Sequence, residues 1–364
     1  MKAALHVDQL FFTVPGGVGT YIRNLVPALA RRDPSLEVTL FHARIDPPKP
    51  AEPWMNAFAD EELAGSIRSL YPRWNLFGRP ALPAPLRSAD LVHAMSGSAI
   101  PPVADGQRLV VTVHDLAFDR YPGMFPRSWR VMYRLGLRAA VRRAHAIVTP
   151  SRTTAEDVLS RTNVDPRKLH VVPEAAALPG SNVDVGEALK RLKLMPPYVL
   201  FVGTIEPRKN LVRLVRAYRR VAATGVPHGL VLAGPLGWHH ERLMRELALE
   251  GPGEIVMTGA LAPDELDAVY RAADAFVYPS VYEGFGLPVR EVNGFDSDSN
   301  LYMMPSGAVA FRVDDQLTLG MGLGIGNVRA IASRAGHAIL LICRLPFACI
   351  RSLISAITID DLAT

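Results

Sequence analysis

Arg208 and Lys209 stand side by side in Gly203-Thr204-Ile205-Glu206-Pro207-Arg208-Lys209-Asn210, between an apolar run and a segment of helical spacing. Two cations there can neutralise a diphosphate, because the amides that open a helix add partial positive charge on the same side. A solvated basic pair is the alternative, although a helix N-terminus disfavours cations unless an anion shares the site. A second group, Glu283-Gly284-Phe285-Gly286-Leu287-Pro288-Val289-Arg290-Glu291, also follows an apolar run and carries carboxylates at both ends. With a helix opening at Leu287, Glu283 falls in the preceding loop and Glu291 about one turn inside. Glu283 then suits the hydroxyls of a sugar and Glu291 those of a ribose, with the glycines leaving amides open to the ligand. The alternative is two surface acids.

Two further groups carry weaker signals. His114-Asp115 comes directly after the apolar run Leu109–Val113, and the carboxyl end of a strand is where open α/β sheets bind ligands. An imidazole there can orient a hydroxyl or stabilise developing charge; a histidine capping a loop is the other reading. Pro15-Gly16-Gly17-Val18-Gly19 precedes an amphipathic stretch, so Gly17 and Gly19 can bring amides close to a phosphate or can merely form a tight turn. The spacing is not GxGxxG, so that fingerprint and an acidic residue about 20 positions later are not found together.

Positioning these groups requires strands that alternate with helices. Strands are predicted at 3–6, 38–42, 91–94, 109–114, 146–149 and 169–172, with helices at 18–31, 126–143 and 153–160. The same alternation restarts after a Pro/Gly/Ser-containing stretch, with strands at 198–203, 229–233, 254–258 and 275–278 and helices at 211–223, 240–249 and 263–272. The expected organisation is a first domain over 1–178, a linker over 179–196 and a second domain over 197–291, followed by an atypical segment, 292–364. A chain of 364 residues is long enough for two cores with a cleft between them.

Composition narrows the class. With 49% hydrophobic and 21% charged residues the chain is a folded globular protein, neither disordered nor a coiled coil. The net charge of +5 fits anionic ligands or an anionic membrane surface, but no basic run is dense enough for a nucleic-acid footprint. Cys343 and Cys349 lack the partners of a zinc site, and a reducing cytoplasm is the simpler reading. Arg344, Pro346 and Arg351 interrupt the apolar stretch 338–357, so no transmembrane helix is predicted. Arg130, Arg134, Arg138 and Arg142 recur every four residues. Such a stripe is a solvated helix face or a peripheral contact with the inner face of a membrane carrying a lipid-linked acceptor.

The segments 203–211 and 278–289 resemble the retaining GT-B glycosyltransferases of the glycosyl transferases group 1 family. The likeness extends over Gly16-Gly17-Val18-Gly19, His114-Asp115-Leu116, Ala233-Gly234-Pro235, Thr258-Gly259 and 270–274, and so covers about residues 1–291. It implies an α/β fold of two Rossmann-like domains facing a cleft, the first on the acceptor side and the second binding a nucleotide sugar. It also implies transfer of a hexose with retention from a GDP- or UDP-linked sugar to a glycan or lipid-linked acceptor, with no metal or other cofactor. Arg208 and Lys209 would hold the diphosphate, Glu283 the transferred sugar, Phe285 and Gly286 would contact that sugar through amides, Glu291 would hold the ribose, and His114 would sit beside the reacting centre. His114–Phe118 and Glu206–Asn210 resemble forms common among bacterial mannosyltransferase-like members, which favours mannose slightly. Acceptor contacts would come from loops of the first domain, here 74–79 and 118–125.

After Glu291 the likeness ends. Family members usually continue with Ala-Met-Ala, whereas this chain reads Val292-Asn293-Gly294-Phe295 and then has neither Lys nor Glu to its end. A frameshift, a recombination junction or an insertion in the gene would produce such a break and leave the second domain incomplete; a divergent C-terminal subdomain is the alternative. An incomplete domain could keep part of the sugar-donor site and bind nucleotide without turnover.

Overall fold

A computed structural model of the chain describes residues 1–175 and 183–288, together with the backbone of 301–303, 309–311 and 340–343. The chain divides into two compact units, Met1–Ala175 and Ala176–Thr364.

In the first unit β1 (Lys2–His6) leads through a short turn into α1 (Gly16–Arg32) and β2 (Glu37–Arg44). Then come β3 (Ala59–Ser66), α2 (Ile67–Phe77), α3 (Ala84–Arg87), β4 (Leu91–Ala94) and β5 (Arg108–Thr112). The unit finishes with α4 (Ala117–Arg120), α5 (Arg127–Arg143), β6 (Ala146–Thr149), α6 (Arg152–Arg161) and β7 (Leu169–Val171). All seven strands pair in parallel in the order β3-β2-β1-β4-β5-β6-β7. The chain winds outward from β1 to β3 and returns to β4, so the order reverses between β1 and β4, the kind of switch point where such sheets leave a crevice at their carboxyl ends.

Four elements of this unit, β3, α2 and the four-residue helices α3 and α4, were not expected. The β3 segment Ala-Asp-Glu-Glu-Leu-Ala-Gly-Ser buries only Leu63 and has no apolar alternation, because it is an edge strand with one neighbour. Pro72 lies inside α2, where a proline reads as a break. As a result Trp74, expected on an acceptor loop, is 1% exposed within α2 and donates its indole N–H to the Pro80 carbonyl at 3.1 Å.

The second unit contains α7 (Val185–Leu192), β8 (Tyr198–Val202), α8 (Leu211–Ala222), β9 (Gly229–Ala233), α9 (Glu241–Leu247), β10 (Ile255–Gly259), α10 (Pro263–Ala272) and β11 (Ala275–Tyr278). Its sheet runs β10-β9-β8-β11 in parallel. Every residue of β8 and β11 is buried, as expected of parallel strands covered on both faces, which is why they are continuous apolar runs in the sequence. Within the stretch expected as linker, Asp184 caps α7 through the Glu187 amide at 3.1 Å, and Leu189 and Leu194 pack into this unit's core.

Beyond residue 288 the described backbone comprises β12 (Leu301–Met303) paired with β13 (Val309–Phe311), and β14 (Leu340–Cys343) antiparallel to β11. The remaining expectations for 292–364, including both the break and the divergent subdomain, lie outside the described residues. Among the described residues no helix is long and apolar enough to cross a membrane.

Candidate functional site

In the second unit Arg208 and Lys209 belong to a short turn, Pro207–Lys209, that ends where Asn210 adopts a left-handed conformation (φ 58°) and α8 begins. Glu283 lies beyond the end of β11, and a backbone bond from the Val281 amide to the Arg208 carbonyl (2.9 Å) ties the two segments together. The side chains converge: Arg208 Nη1 donates to Glu283 Oε2 and Lys209 Nζ to Glu283 Oε1, each at 2.7 Å. Lys209 Nζ also donates to the Tyr278 hydroxyl at 2.6 Å, and Arg208 Nη1 to the Tyr282 carbonyl at 2.9 Å.

A second carboxylate, Glu206, accepts from Arg208 Nε at 3.0 Å and meets Nη2 at 2.7 Å. It is buried, as is Lys209. The anion that permits two cations here is therefore protein, and the cluster pairs two positive with two negative side chains. Burial by itself raises the Glu283 carboxyl, but the charges of Arg208 and Lys209 outweigh it and hold the group at about 2. Burial pulls the Lys209 ammonium below its ordinary value against the attraction of Glu283. Gly286 takes a left-handed conformation (φ 78°) just after Phe285, in the segment that continues from Glu283. Glu291 lies outside the described residues.

In the first unit His114 follows β5 by two residues. Its Nδ1 meets Glu174 Oε1 at 2.8 Å and its Nε2 meets the Met95 carbonyl at 2.9 Å, just past β4. The Tyr21 ring from α1 stands edge-on at 5.0 Å between centroids. Asp115 turns away to accept from the Ala117 amide at 2.9 Å, opening α4. Gly16 and Gly17 are exposed at the start of α1, whereas the Gly19 amide already donates to the Pro15 carbonyl at 3.1 Å. A Cβ at Gly19 would lie 2.4 Å from that of Pro15, so close packing requires this glycine.

The structure thus gathers Arg208, Lys209 and Glu283 in one unit and gives His114 a buried partner in the other. Sequence reading gave no role to Glu206, although it lies inside the motif, and did not find Glu174, Met95 or Tyr278. Glu174 is 60 residues from His114, and no local spacing signals such a contact. In the arginine stripe of α5, Arg130 Nη1 donates to the Pro122 carbonyl at 3.2 Å and Arg134 pairs with Asp119 at 2.9 Å, while Arg138 and Arg142 are exposed.

Comparison with known proteins assigns the class. Residues 15–176 match the family model Glycosyltransferase Family 4, and residues 188–294 match Glycosyl transferases group 1. The two matches follow one another along the chain and together support a GT-B glycosyltransferase. O-antigen chain mannosyltransferase B of Escherichia coli is 32% identical over 193 residues, which cover 51% of this chain and 50% of that protein. The chain therefore spans about half the length of that relative. Sucrose-phosphate synthase from Thermosynechococcus elongatus superposes with a TM-score of 0.57 at 22% identity, covering 80% of this chain and 78% of that one. HepE from Anabaena, solved with UDP and glucose, gives 0.55 at 15% identity over 80% and 77%. At these identities the likeness to solved structures concerns the fold.

Proposed function

We propose that the protein transfers a hexose, mannose in preference, from a GDP- or UDP-linked sugar to a glycan or lipid-linked acceptor with retention of configuration. The observation that carries this reading is the convergence of Arg208, Lys209 and Glu283 within the segment matching Glycosyl transferases group 1. Transfer breaks the bond between the anomeric carbon and the diphosphate and forms one to an acceptor oxygen. The charge left on the diphosphate is stabilised by Arg208 and Lys209, with no metal or other cofactor. Glu283 engages the sugar, Phe285 and Gly286 contact it through their amides, Glu291 holds the ribose, and His114 serves the reacting centre from the acceptor-side domain, 1–178. The mannosyltransferase named above supports mannose. The protein works in the cytoplasm, peripherally at the inner face of the membrane.

Incubating the chain with GDP-mannose, UDP-glucose and UDP-galactose in the presence of EDTA, and measuring nucleotide release, tests the transfer. Release from none of them, with or without a divalent metal, overturns it. The anomeric configuration of the product, read by NMR, tests retention.

A second reading rests on a specific observation: the family match stops at residue 294, whereas the chain continues to 364. The protein would then be a remnant that binds nucleotide without turnover. Titration calorimetry with GDP and UDP, paired with the release assay, separates the two readings: binding without release selects the remnant, and release removes it.

A further inference from the structure

The Met95 carbonyl can only accept a hydrogen bond, so His114 Nε2, 2.9 Å away, carries a hydrogen. Glu174 Oε1, 2.8 Å from Nδ1, belongs to a carboxylate whose side chain is 4% exposed, and when ionised it too can only accept. A Glu174 carboxylate that accepts from Nδ1 would make both ring nitrogens donors and the ring an imidazolium held in one plane.

We propose that Glu174 is a positioning residue that holds His114 as an oriented cation at the carboxyl end of the first sheet, so that His114 serves the transfer by fixed charge and accepts no proton. The role in transfer rests on the function proposed above; the state of the ring does not.

The surrounding groups agree. Burial alone would lower the His114 value, but the bond and charge of Glu174 outweigh it, helped by the Met95 carbonyl and Asp115, and the group is raised. His93 on β4 is driven down to about 4 by burial and by the charge of His114, so it is neutral and does not compete for Glu174. Its Nε2 lies 2.8 Å from the Thr112 hydroxyl. Tyr21, whose hydroxyl lies 3.2 Å from that of Thr112, is raised to about 12 by burial and by the Glu174 charge, and so remains a neutral phenol. From α6, the Thr154 hydroxyl donates to the His114 carbonyl at 3.3 Å.

The test is a pH titration of the imidazole nitrogens by NMR on the full chain, with His114→Gln identifying the resonance among the ten histidines. The wild-type ring is expected to be protonated on both nitrogens at neutral pH. Glu174→Gln keeps a hydrogen-bond acceptor and removes the charge, and should lower the midpoint by at least about one unit, with Glu174→Asp falling between. In transfer assays Glu174→Gln should reduce kcat at neutral pH about tenfold with little change in KM for the sugar donor. The alkaline limb of its pH profile should move down with the NMR midpoint. A neutral wild-type ring overturns the proposal, as does an unmoved midpoint in both Glu174 variants or an unmoved pH profile. If wild-type protein transfers from none of the sugar donors, the proposed function fails instead, and the spectra still decide the state of the ring.

Discussion

In the His114 cluster of the first unit one buried carboxylate faces one imidazole, whereas in the Arg208 cluster of the second two carboxylates face two cations. The first arrangement leaves nothing to be displaced, since Glu174 and Met95 occupy both ring nitrogens. In the second, Glu283 holds Arg208 and Lys209 together, so the diphosphate of the proposed sugar donor would compete with it for the same two cations. A carboxylate poised to exchange partners is a means of assembling a site only when the anion is present. Buried ion pairs cost desolvation, and removing one partner strands the other charge, so the two clusters should respond differently to the same kind of substitution.

The largest effect is expected at Lys209, the cation shared by Glu283 and Tyr278. Lys209→Met should reduce transfer about 100- to 1,000-fold, the usual cost of losing one group that stabilises transition-state charge. Calorimetry should show weaker GDP and UDP binding as well. Unchanged nucleotide affinity would break the distinction between the units, because it would mean that the diphosphate never meets the second cluster.

Next come two glycines, one in each unit. A Cβ at Gly136 on α5 would lie 2.1 Å from the Gly97 carbonyl oxygen, and one at Gly234, after β9, 2.1 Å from that of Gly203. Gly234 also has φ +146°, where other residues are strained. Gly136→Ala and Gly234→Ala should each cost about 1–3 kcal/mol through overpacking. Calorimetry should assign each loss to the transition of the unit that carries the change.

Glu283→Gln should strengthen binding of a nucleoside diphosphate by about tenfold, or roughly 1.4 kcal/mol, because it frees the cations, while transfer falls. The pH dependence separates the clusters further. Glu283 titrates at about 2 instead of its ordinary 4.5, so the stability it contributes is present above 4.5 and lost as pH falls toward 2. His114 is raised, so its contribution is complete below its ordinary 6.5 and lost as pH rises through the folded value. Acid unfolding should therefore distinguish wild type from Glu283→Gln, and alkaline unfolding should distinguish wild type from His114→Gln. Opposite slopes sharpen the comparison; a common slope would remove it.

These contrasts also explain what could be read in advance. Strands β8 and β11 are legible because both their faces are buried, and Pro263–Ala272 because its acidic first turn and periodicity agree. The β3 edge strand and the proline-containing α2 escape because tertiary packing overrides local preference there. Within the site, Arg208, Lys209 and Glu283 share motifs whose local chemistry is unusual, but their mutual contacts span 74 and 75 residues and follow only from the sheet order β8-β11. Glu174 follows the edge strand β7 in an unremarkable run, Val171-Val172-Pro173-Glu174-Ala175, so only folding reveals its partner.

The smallest effects belong to the arginine stripe of α5, which extends the comparison to the surface. Arg134 is 43% exposed and shares Asp119 with Arg161, so Arg134→Ala leaves that carboxylate still paired. Its cost should stay within about 1 kcal/mol and shrink with added salt. The same engagement reduces what Arg134 can offer an anionic bilayer, whereas Arg138 and Arg142 project from the exposed face. A juxtamembrane cation contributes about 1 kcal/mol, or roughly fivefold in partitioning. Flotation with phosphatidylglycerol-containing vesicles at low salt should accordingly fall about fivefold for Arg138→Ala and for Arg142→Ala and change little for Arg134→Ala. Equal losses at all three positions would mean that the ion pair with Asp119 opens at the membrane, and no binding by the wild-type chain would reject the peripheral contact altogether.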